Sequence, residues 1–142
     1  MSICNQSFVD KTTCTCVTTV TTTVILTPAQ SGTIFMINKV AGNNTILQVT
    51  LPSPTIPGLQ YTFIQQTAVT LNAVVNIGIP AIANAIGQWV SNAGAIASVA
   101  GNSQLQITAT AAPGDIMICR SNGTQWHYFA TSSVAAGFAV VA

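Results

Sequence analysis

The side chains best suited to acid–base, nucleophilic or metal chemistry are few in this sequence: Asp10, Asp115, His127, Cys4, Cys14, Cys16 and Cys119. Hydrolytic mechanisms of the common kinds need paired carboxylates, or a nucleophile beside a base. The two aspartates stand far apart in sequence, with Asp10 in the first ten residues. Cys119 and His127 flank one expected hairpin and are the one conceivable Cys/His dyad. The expectation is instead a packed thiol opposite a half-buried histidine. Zinc could take Cys4, Cys14, Cys16 and His127, but the spacing C-x9-C-x-C matches no standard structural site. Calcium wants clustered charged oxygens, which are missing. No dinucleotide fingerprint, P-loop or nucleophile elbow occurs. The expectation is therefore no catalytic, cofactor-binding or metal-binding residue, no cofactor and no enzyme. Asn5, Asn43 and Asn122 each open an Asn-x-Ser/Thr triplet, which chance explains in a chain so rich in Asn and Thr.

Charge is the unusual property. Asp10, Lys11, Lys39, Asp115 and Arg120 make up 4% of 142 residues, against about 25% in ordinary proteins. A folded chain of this size exposes roughly 6,900 Å², or about one charge per 1,400 Å². Free proteins keep both signs dispersed over their surface, so much of this surface is expected to be covered by protein. Three basic residues cannot neutralise the several phosphates that a nucleic-acid binder contacts, so no nucleic-acid partner is expected. Met1–Asp10 has neither the basic nor the apolar region of a secretory leader. The apolar tract Val69–Val90 is broken by Gly78, Pro80 and Gly87, and Val134–Ala142 is too short to span a bilayer. No membrane span is expected. The cysteines can be free thiols, or the N-terminal ones can form a disulfide within or between subunits.

The pattern divides the chain into an N-terminal arm (1–16), a β domain (17–133) and an apolar C-terminal tail or strand (134–142). Thr12–Thr23, with its β-branched threonines and interleaved valines, predicts an extended strand. Further strands are expected at Thr33–Asn38, Ile46–Leu51, Gln60–Gln65, Ala73–Ile79, Gln104–Thr110, Ile116–Arg120 and Gln125–Ala130. Leu47, Val49 and Leu51 share one face, as do Tyr61 and Phe63, while Leu105 and Ile107 point inward. Ile82–Val90 reads as loop and strand. Pro52–Gly58 must be a rigid loop. Ser121-Asn122-Gly123-Thr124 predicts a hairpin, with Asn-Gly favouring a type I′ turn. Nine or ten short strands without a strong amphipathic helix predict a single antiparallel β-sandwich of jelly-roll type. No internal repeat is evident, which argues against a β-helix.

Several fragments in order resemble a module of virion proteins of tailed phages and large DNA viruses. They are Leu26-Thr27-Pro28-Ala29-Gln30-Ser31-Gly32-Thr33-Ile34-Phe35, then Val49-Thr50-Leu51-Pro52, then Gly58-Leu59-Gln60-Tyr61-Thr62-Phe63. Gly114-Asp115 and Ser121-Asn122-Gly123-Thr124-Gln125-Trp126 complete the series, which spans roughly residues 24–130. The resemblance implies a β-sandwich, often a homotrimer, in fibres, spikes or capsid-surface proteins. The function expected from it is that of a structural virion protein. In this reading the chain is a minor capsid, cement or decoration subunit that acts through self-association and contacts with neighbouring capsid proteins. It would be made in the host cytoplasm and reside on the capsid surface. The alternatives are a receptor-binding head of a viral fibre or spike and, from another class, a small enzyme with a cryptic Cys/His site. The chain departs from the pattern in standing alone rather than capping a long fibre, and in its Cys- and Thr-rich arm.

Overall fold

The computed structural model describes residues 16–38, 46–67, 74–78, 85–92, 94, 96–102 and 104–141. The expected arm falls almost wholly outside them, as do Asp10, Lys11, Lys39, Cys4, Cys14, Asn5 and Asn43. Twelve strands run through the described residues: β1 Val17–Val20, β2 Val24–Ile25, β3 Ile34–Ile37, β4 Leu47–Thr50, β5 Gln60–Gln65 and β6 Val75–Gly78. After them come β7 Ala85–Ser91, β8 Ile96–Asn102, β9 Gln104–Ile107, β10 Ile116–Ser121, β11 Trp126–Ser132 and β12 Phe138–Val141. Pro28–Gln30 adds one 3-10 turn, whose capping box joins Thr27 to Gln30. The expected β class is thus observed, with two packed sheets. Within 134–142, expected as an apolar tail or strand, Phe138–Val141 forms a strand and Phe138 is buried in the core.

A large sheet has the order β1-β3-β5-β10-β11-β7-β8 and a small sheet the order β12-β9-β6-β4-β2. The antiparallel expectation holds for only half of the ladders. β1/β3, β3/β5, β2/β4, β4/β6 and β11/β7 are parallel, and β10/β5, β10/β11, β7/β8, β6/β9 and β9/β12 are antiparallel. The cause is in the threading. From β1 to β6 the chain alternates between sheets, so each return to a sheet comes through a strand of the other one and repeats its direction.

Alternation fills the space between the sheets. Phe35, Ile37, Tyr61, Phe63, Met117, Cys119, Trp126 and Tyr128 of the large sheet meet Leu47, Val49, Val75, Ile77, Leu105, Ile107 and Phe138 of the small one, all buried. Tyr61 touches Phe35 and Trp126 with ring centroids 6.3 and 5.6 Å apart, and Phe35 stacks on Phe63 at 5.5 Å.

Two polar clamps close the ends. At one end the Pro52–Gly58 loop is tied to the β10–β11 hairpin: Trp126 Nε1 donates to Pro52 O at 3.0 Å and Ser121 Oγ to Pro54 O at 2.5 Å. Gly123, at φ +98°, lies against Pro57, a backbone conformation that a side chain would strain. At the other end the buried Asp115 carboxylate accepts from Ala112 N, Ser132 Oγ, Ser133 N and Ser133 Oγ at 2.7–2.9 Å. Gly137 is needed there, because a Cβ would come within 2.8 Å of Asp115 Oδ2.

Candidate interaction face

The β10–β11 register decides the fate of the catalytic candidates. Cys119 pairs with Tyr128 and His127 with Arg120, so the thiol points into the core and the imidazole points out. A one-residue offset in a strand reverses the face, and no dyad forms. Burial pushes the Cys119 thiol well above its usual range, the opposite of an activated nucleophile. His127 Nε2 lies 2.9 Å from Asn122 Nδ2, within the hairpin, and Asn122 Oδ1 accepts from Thr124 N, Thr124 Oγ1 and Gln125 N. Asn122 N also donates to Gln125 O at 3.2 Å, so beyond the Ser121–Trp126 pair the tip is Gly123-Thr124 rather than Asn122-Gly123. Asp115 is spent on its clamp. Cys16 is disulfide-bonded, which takes it out of the zinc set, and no cluster of three metal-ligating side chains occurs among the described residues.

The feature that stands out is a surface, and its composition is read across the ladders. On the outer side of the large sheet one row runs Thr19, Met36, Ile64, Ile116, Thr131, Val90. The next runs Val17, Ile34, Thr62, Ile118, Phe129, Gln88. The last holds Gln60, Arg120, His127 and Ile86. A sheet with one face in water normally alternates apolar inside with polar outside. These strands are apolar on both sides: isoleucines face outward in β3, β5, β7 and β10. Phe129 sits in the middle of the sheet, 47% exposed. Covering the rest of its ring would recover about 2 kcal/mol. Among the described residues Arg120 is the one charged group on this face, and its Nε donates to Gln60 Oε1 at 2.9 Å.

The small sheet presents the opposite surface. Its outer rows run Gln48, Asn76, Gln106, Ala139 and Ile25, Thr50, Gly78, Gln104, Val141. Gln106 Nε2 donates to Asn76 Oδ1 at 2.8 Å, and the Gln48 amide lies over Gly78. The sandwich is two-faced, one side aliphatic and the other amide. Sequence reading found the inward residues of these strands and missed the outward ones. The signal was present: Ile34–Ile37 (IFMI) and Ile116–Cys119 (IMIC) are continuous apolar runs, the mark of a strand covered on both faces. No helix among the described residues is long and apolar enough to cross a membrane. Comparison with family models, with curated proteins and with solved structures finds no match.

Proposed function

We propose that this protein is a structural subunit that works by packing the outer face of its large sheet against protein, as a capsid-associated minor capsid, cement or decoration component of a virus particle. The observation that carries the packing role is the aliphatic outer face, centred on Phe129 and Ile118, on a chain with 4% charged residues. Contiguous exposed apolar patches of this kind mark interaction sites on soluble proteins. The virus particle, and the three-fold order proposed for the free protein, rest on the resemblance of the Leu26–Phe35, Val49–Pro52, Gly58–Phe63 and Ser121–Trp126 fragments to virion modules. No step of this role requires a reacting group, and among the described residues Cys119 is held in the core, Asp115 in its clamp and His127 in the hairpin.

The test compares substitutions on the two faces. Phe129→Lys and Ile118→Lys should break the association made through this face and abolish incorporation into the particle, while Gln106→Lys on the amide face leaves both unchanged. Equal behaviour of the two sets, with circular dichroism showing intact folds, would remove the basis for the proposal.

A further inference from the structure

We infer that the outer face of the large sheet is covered by the same face of a second copy of this chain, turned about a two-fold axis that runs across the strands. This rests on the packing role proposed above and names its partner.

The first argument is charge. Among the described residues the face carries a single cation and no carboxylate, so whatever covers it must bring few charges, or bury them unpaired. A protein of ordinary composition is about one quarter charged, whereas this chain has five charges in all. The second is size. Six strands about 4.8 Å apart and about five residues long make a flat footprint of roughly 450 Å². Side-chain relief enlarges this toward the roughly 800 Å² per partner of a stable complex. The third is choice of surface. The copy's amide face would strand Gln48, Asn76 and Gln106 against isoleucines, leaving their amides desolvated. Its aliphatic face carries two amides, Gln60 in the end row and Gln88 near one edge, against four on the small sheet, and meets the isoleucines at a smaller penalty.

Arg120 then fixes the orientation. It stands on β10, the central strand of the sheet, in the row at one end. An axis along the strands through β10 would set Arg120 on its own mate. An axis across them sends the two guanidinium groups to opposite rims, where each reaches water. The axis then follows the middle row, so Thr62, Ile118, Phe129 and Gln88 each face themselves, as residues on a two-fold must. Such a contact closes on two copies. A three-fold arrangement would need a different surface, and the two together give six copies.

The experiment introduces one cysteine at a time, Thr62→Cys, Gln88→Cys or Arg120→Cys. Each protein is treated with a short bismaleimide, the joined peptides are identified by mass, and wild type reports the native cysteines. Thr62→Cys and Gln88→Cys should link to their own mates at least tenfold more than Arg120→Cys, in a protein of even copy number by light scattering. Linkage at Arg120 in place of the middle row would overturn the orientation. A multimer in which none of the three links would overturn the pairing while leaving the packing role intact. A monomer would overturn both.

Discussion

Tyr61 and Tyr128 point into the same core from strands on either side of β10, yet only one hydroxyl is satisfied. Tyr61 Oη donates to Thr27 O at 2.8 Å, whereas Tyr128 Oη is buried without a partner. A hydroxyl that has given up water without replacing it stabilises nothing by its presence. Tyr61→Phe should therefore cost about 1 kcal/mol, and Tyr128→Phe should be neutral or stabilising. Chemical denaturation of both variants checks this; equal losses would contradict it.

Alkali should weaken the fold. Burial raises Tyr61 to about 12 and holds Cys119 and Tyr128 well above their usual ranges, with Cys119 adding to the effect on Tyr128. These groups stay protonated when folded and lose protons when unfolded. Stability is unaffected below about pH 9 and falls as pH rises from there through 12. Melting temperatures measured from pH 7 to 12 should be level and then drop. A thiol reagent should reach Cys119 only on unfolding.

Asp115 contributes as an acceptor of four hydrogen bonds joining the 112–115 turn to the end of β11. Asp115→Asn turns one acceptor into a donor facing other donors, and should cost about 2–3 kcal/mol. Thermal unfolding reads the loss, and an unchanged midpoint would show that the clamp is dispensable.

The fragments that were legible in the sequence are the ones that fasten the sandwich. Thr27 receives the Tyr61 hydroxyl, Pro52 the Trp126 indole, and Ser121 holds Pro54. Prolines, glycines and aromatics of this kind announce themselves because backbone geometry leaves few substitutes. The threading was not legible. Alternation within β3 or β5 shows which side chains face in, but it is the same for parallel and antiparallel neighbours. The strand β8 was missed because Ile96–Asn102 is small and weakly patterned. The outward isoleucines were overlooked because the expected fold, an antiparallel sandwich, supposes a wet outer face.

His127 and Cys119 are separated by the sheet itself, so neither can act on the other, and Cys119→Ser alone should leave assembly intact. His127→Gln with Cys119→Ser should cost stability through lost packing, about 0.5–3 kcal/mol, with no turnover to lose. A turnover present in wild type and lost in the folded double variant would show an active site on this chain.

The most direct test of the packing role is the native mass of the unaltered protein, measured by light scattering from low to high concentration. A subunit with this sparsely charged face should already be multimeric at micromolar concentration, with Phe129→Lys lowering its mass. A wild-type protein that stays soluble as one 14.6 kDa chain across the whole range would contradict the account.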